Sequence, residues 1–84
     1  MVKNVAYSNS AIKSLRRLPA NTAQKIIRKI EQYATDPASQ ANNVIRMQGS
    51  ASYRLRVGDW RIIFDEDDGA IAILEIGPRG GIYK

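Results

Sequence analysis

The chain has 84 residues, thirteen lysines and arginines against eight aspartates and glutamates, a formal net charge of +5, and no cysteine or histidine. That length allows one hydrophobic core, so residues 1–84 are read as a single domain. The missing cysteines exclude a disulfide framework or a thiolate metal site, and the missing histidines remove the commonest metal ligand and the commonest general base near neutral pH. No metal and no small-molecule cofactor is expected.

The N-terminus lacks the apolar run of a signal peptide, and no stretch approaches the ~20 apolar residues of a membrane span. A soluble cytoplasmic protein without a membrane partner is expected. Charge is uneven: eight basic and two acidic residues precede the cut after Gln48, and five basic and six acidic residues follow it. The first half would supply long-range attraction for an anionic partner, and any anion site in the second half must be local and geometric.

Val2 to Tyr7 reads as a strand, followed by a Ser8-Asn9-Ser10 cluster able to cap a helix. A short helix with an apolar stripe of Ile12, Leu15 and Leu18 runs to the break at Pro19. A second helix starts near Ala20. Its stripe is Ala23, Ile26, Ile27, Ile30, Tyr33 and Ala34, and Asp36-Pro37 ends it. Residues 37–43 are a polar connector.

From Val44 the period changes to two. Tyr53, Leu55 and Val57 alternate with Arg54 and Arg56, and Trp60, Ile62 and Phe64 alternate with Arg61 and Ile63. Gly58-Asp59 between them suits a two-residue type II′ turn, which sets residue 57 against 60, 56 against 61 and 55 against 62. A second hairpin at Asp67-Asp68-Gly69 suits a three-residue loop. In that register Ala72, Leu74 and Ile76 face the core, while Ile71, Ile73 and Glu75 join the arginines, with Glu75 opposite Arg61. The expected fold is α+β: an N-terminal strand, a two-helix hairpin and a three-stranded antiparallel meander, forming one sheet with the helices on one face.

Arg56 directly opposite Arg61 is a like-charge pair that destabilises a hairpin. With Arg54 on the same face, three guanidiniums converge within reach of one phosphate, and guanidinium recognises oxyanions in a planar, bidentate way. The alternative is a solvated face of ordinary surface charges, partly neutralised by Glu75. Tyr53 and Trp60 could stack on bases, but alternation assigns them to the core. The acids at 65–68 read as a solvated turn, since consecutive residues cannot all point at one ion.

The segments YRLRVGDWRIIF and GPRGGIYK together resemble the RelE/ParE superfamily of toxins from type II toxin–antitoxin systems, and the order of elements resembles it along nearly the whole chain. The resemblance, on the RelE-like branch, implies a ribosome-dependent mRNA endoribonuclease, with a cognate antitoxin, the ribosome and mRNA as partners. Arg54 and Arg56 match basic residues at alternate positions on the strand after the helices, Arg61 an arginine early in the next strand, Arg79 one after the last strand, and Tyr83 a terminal tyrosine. These five are the implied catalytic set. Where some relatives carry strand lysines or a histidine beside the late arginine, this chain has Arg54, Arg56 and Pro78.

Such an enzyme cleaves by attack of the 2′-hydroxyl on the phosphodiester, without metal. Lys13, Arg16, Arg17, Lys25, Arg28 and Lys29 are candidates for RNA or ribosome contact, or simply the solvent faces of two amphipathic helices. Two other functions remain open: a ParE-like toxin that inhibits DNA gyrase without cutting, and a non-catalytic nucleic-acid-binding module.

Overall fold

The computed structural model describes residues 3–47, 52–67 and 69–78. Its elements are β1 (Asn4–Tyr7), α1 (Asn9–Arg17), α2 (Ala20–Thr35), a 3-10 segment (Pro37–Asn43), β2 (Val44–Arg46), β3 (Tyr53–Val57), β4 (Trp60–Glu66) and β5 (Ala70–Pro78). The strands form one sheet in the order β1-β5-β4-β3-β2, with β1 parallel to β5 and the other pairs antiparallel. This is the α+β layer arrangement read from the sequence. It gains one strand: Val44–Arg46 pairs with β3 as a short edge that the expected three-stranded meander did not include.

Ser8 caps α1, its Oγ accepting from the Ala11 amide at 3.0 Å. The helix is rotated slightly from expectation. Ala11 is fully buried and Leu15 and Leu18 pack on the core, whereas Ile12 is 36% exposed. The physical reason is the cap: the Ser8 amide donates to the Ile73 carbonyl (2.8 Å) and its hydroxyl to the Leu74 carbonyl (2.6 Å), fixing the helix start on β5. A small alanine then fits where helix and sheet come closest. In α2 the expected stripe faces the sheet, with Ile26, Ile30, Tyr33 and Ala34 buried. Gln40, in the connector, is also buried, bonded through its amide to Gln32 and Asn43.

The first hairpin has the register read from its turn: Val57 opposite Trp60, Arg56 opposite Arg61, Leu55 opposite Ile62. Gly58 has φ of 59°, and Asp59 is not in the positive-φ region, as a type II′ turn requires. Leu55, Val57, Ile62 and Phe64 are buried, and Tyr53 and Trp60 pack against them. The Phe64 ring lies between Tyr33 and Tyr53, at centroid distances of 5.3 and 5.5 Å.

The second hairpin differs. Glu66 pairs with Ile71 and Phe64 with Ile73, so an even number of residues, not three, separates the paired ends. The loop closes in this way because Asp67 Oδ1 accepts from both the Gly69 and Ala70 amides, at 3.0 and 2.9 Å. Ile71 and Ile73 are therefore the buried residues, and Ala72 and Leu74, expected in the core, are only half-buried. Leu74 is then left without a cross-strand partner, a β-bulge that reverses the alternation again. Ile63 faces Glu75, Ile62 faces Ile76 and Arg61 faces Gly77, so Ile76 returns to the core as expected, and Glu75 is not opposite Arg61. The Leu74 carbonyl at the bulge accepts the Ser8 hydroxyl bond.

A polar clip joins the start of β1, the end of β4 and α2. Glu66 accepts from Lys3 Nζ at 2.6 Å and from the Tyr33 hydroxyl at 2.5 Å. Burial, then the bond to Glu66 and its charge, push the Tyr33 pKa well above its usual range. The folded state therefore keeps the phenol proton to higher pH than the unfolded chain, and stability should fall as pH rises above about 10. Thermal unfolding followed from about pH 9 to about pH 11 should show a steep loss in the parent and a shallower one in Tyr33→Phe. Equal slopes would assign the alkaline limb to other groups. The register itself is checked by urea denaturation: Ile73→Ala should cost about 2–5 kcal/mol and Leu74→Ala less than about 1.5 kcal/mol, an order that the three-residue loop would reverse.

Candidate phosphate-binding site

Alternation on β3 sends Leu55 and Val57 toward the helices and Arg54 and Arg56 to the other face; on β4 it sends Ile62 in and Arg61 out. The two strands place Arg56 and Arg61 opposite each other, and Arg54 opposite Ile63 one rung along. Directly opposed residues have Cα atoms about 4.5–5.5 Å apart, so the two side chains start side by side. Arg56 is exposed, and Arg54 and Arg61 are half-buried. Beneath them Leu55, Val57 and Ile62 are at most 3% exposed, so the strands carrying the guanidiniums rest on a packed layer. Three cations on a rigid two-strand platform can bind a phosphate and stabilise additional negative charge on it.

Asp65, Glu66 and Asp67 lie at the second-turn end of β4. Asp65 accepts from the Ser52 hydroxyl at 2.6 Å, Glu66 holds Lys3 and Tyr33, and Asp67 shapes the second turn. The run expected to be a solvated turn is thus partly structural, since the Glu66 side chain is 13% exposed. Among the described residues, no group of three or more Asp and Glu side chains is placed to hold a metal ion.

Arg79 and Tyr83 lie outside the described residues. β5 reaches Pro78, which pairs with Trp60, the residue beside Arg61. The six helical cations are not gathered with the sheet arginines. Lys13, Arg16, Arg17 and Arg28 are exposed and Lys29 half-buried on the helical layer. Lys25 is the exception, because its Nζ would stand 3.7 Å from a Cβ built at Gly58, in the turn that joins Arg56 to Arg61. Helical periodicity alone does not reveal that proximity. Gly77 as the neighbour of Arg61 was equally hidden, because it follows from the bulge at Leu74.

This layout is that of a known class of small toxins. The family described as "ParE toxin of type II toxin-antitoxin system, parDE" matches residues 5–83, and the chain belongs to that family, on the RelE-like branch of the RelE/ParE superfamily. Among solved structures, it resembles the archaeal RelE–RelB complex from Pyrococcus horikoshii OT3, with 28% identity and a TM-score of 0.80 over 96% of this chain and 99% of that one. The fold is shared with the RelB–RelE antitoxin–toxin complex from Methanococcus jannaschii (23% identity, TM-score 0.69, 93% and 94% covered). It is also shared with the intact E. coli RelBE toxin–antitoxin complex (16%, 0.73, 90% and 95%). No curated protein sequence matches the chain. Among the described residues, no helix is long and apolar enough to cross a membrane.

If the arginine pair serves a ligand and not the fold, Arg56→Gln should raise stability by about 0.2–1 kcal/mol in low salt by removing the opposed charge. The same variant should bind RNA more weakly. Denaturation and RNA-binding titrations at matched ionic strength measure both, and a loss of stability would show that Arg56 serves the fold.

Proposed function

We propose that this toxin is a ribosome-dependent endoribonuclease that cuts mRNA by attack of the 2′-hydroxyl on the adjacent phosphodiester. The observation that carries the reading is Arg56 set against Arg61, with Arg54 on the same face. Like charges at that register oppose folding, and a bound phosphate turns the same arrangement into an attraction. Arg54, Arg56 and Arg61 hold the scissile phosphate and stabilise the pentacovalent phosphorane. Arg79 assists the leaving 5′-oxygen electrostatically. Tyr83 is the proposed acceptor of the 2′-hydroxyl proton, and with a phenol pKa ordinarily near ~10 it would need nearby arginines to act as a base. The products are a cyclic phosphate and a 5′-hydroxyl. The helical cations, led by Lys25 near the turn, add salt-sensitive attraction to ribosomal RNA.

The protein acts in the cytoplasm and is neutralised by a cognate antitoxin. Support for that partner is the recurrence of toxin–antitoxin complexes among the structural relatives. Covering the arginine face would be enough to block phosphate access. The ParE name of the matched family favours a second reading, gyrase inhibition without cleavage.

Induction of the protein followed by mapping of new 5′ ends on translated and untranslated messages separates the two. Cleavage should appear on translated messages and fall about 100-fold or more in Arg61→Ala, with a loss also in Tyr83→Phe. Growth arrest with intact messages would defeat the nuclease reading and favour gyrase. Cleavage unchanged in both variants would keep the enzyme and overturn its site.

A further inference from the structure

We infer that Glu75 is the group that finally accepts the 2′-hydroxyl proton, an inference that rests on the nuclease reading above. That chemistry calls for a proton acceptor beyond the Tyr83 phenol, because the chain has no histidine and a phenol is largely protonated at neutral pH. A carboxylate on the arginine face supplies what the arginines cannot.

Glu75 occupies such a place. It pairs with Ile63, which pairs in turn with Arg54, so Glu75 and Arg54 stand on one rung two strands apart, about 10 Å between backbones. The neighbouring rung is Arg56, Arg61 and Gly77. Glu75 is thus diagonal to Arg61 at about 7 Å between Cα atoms, and Gly77 contributes no side chain of its own to that rung. A nucleotide whose phosphate lies on the arginines reaches Glu75 with its ribose. Glu75 is exposed, and among the described residues its carboxylate makes no hydrogen bond or salt bridge.

The other carboxylates of the C-terminal half fit less well. Asp65 shares the face but lies four residues along β4 from Arg61 and already holds Ser52. Glu66 and Asp67 are committed to the clip and the turn. Asp59 is in the first turn, not on a strand. The charged groups facing Glu75 on the open side of the sheet are Arg54 and Arg56 from β3 and Arg61 and Asp65 from β4, while β1 presents only Asn4 and Ala6.

In the step, the 2′-hydroxyl proton passes to the Glu75 carboxylate. The freed oxygen pair forms the bond to phosphorus, the phosphorus–O5′ bond breaks with its electron pair on O5′, and that oxygen takes a proton from water. Atoms and charge balance, with the proton left on Glu75 returning to solvent.

An acid beside a phosphate repels it, so a base and a mere neutraliser of Arg61 differ in their signatures. Message affinity is measured on stalled ribosomes carrying a 2′-deoxy nucleotide at the mapped cut site, and cleavage in single turnovers on the ribose message. Glu75→Gln should cleave at least about 100-fold more slowly, the size expected for loss of a general base, while affinity stays equal or tightens. Circular dichroism and the unfolding midpoint of the variant should match the parent. Cleavage within about threefold of the parent, or faster, overturns the proposal, as does a joint loss of affinity and cleavage. A parent protein that cleaves no message overturns the nuclease reading and this inference together; a cleaving parent with a cleaving Glu75→Gln overturns the inference alone.

Discussion

The two-residue turn at Gly58 and Asp59 is the constraint on which the sheet depends. Gly58 takes a φ of 59° that a side chain would resist, and this sets Val57 against Trp60 and every later pair of β3 and β4. A slip of one residue would turn Arg54, Arg56 and Arg61 into the core and Leu55, Ile62 and Phe64 out of it. Burying three guanidiniums is far costlier than the repulsion between two of them in water. The arginine face is therefore a consequence of the same register that closes the core.

That face is paid for elsewhere in the molecule. Phe64 lies between two tyrosines, Ile62 is fully buried, and Lys3, Tyr33 and Glu66 tie β1, α2 and β4 together at the end of β4 away from the arginines. The acids explain how a C-terminal half with more acidic than basic residues keeps a basic surface. Asp65, Glu66 and Asp67 have a serine, a lysine with a tyrosine, and two backbone amides as partners, all toward the second turn. Their charge is held about four residues from Arg61 along a strand, some 13 Å at the usual rise, beyond a Debye length at physiological salt.

The first hairpin and α2 were legible because their signals are local: a glycine-led turn with strict alternation on either side, and a stripe at helical spacing. The second hairpin was not. Its two reversals of alternation come from side chains bonding to backbone, Asp67 to the loop amides and Ser8 to the Leu74 carbonyl from 66 residues away. A period-two reading has no access to a serine at the far end of the chain. The same serine sets the rotation of α1, which is why Ala11 and not Ile12 is buried. In the candidate site, Arg54, Arg56 and Arg61 follow from alternation, whereas Arg79 and Tyr83 rest on family resemblance.

The bulge also changes what the arginine face can do. With a three-residue loop and no bulge, Glu75 would stand directly across from Arg61, and the pair would neutralise each other. The longer loop and the bulge place Gly77 across from Arg61 and move Glu75 to the next rung. An acid paired with the phosphate-binding cation would be spent on it. One rung away, the acid and the cation can serve different atoms of the same nucleotide, the cation its phosphate and the acid its 2′-hydroxyl. In the proposed nuclease, a backbone irregularity held by Ser8 is what separates the two charges, so the helix cap and the chemistry depend on the same serine hydroxyl, which accepts from the Ala11 amide and donates to the Leu74 carbonyl.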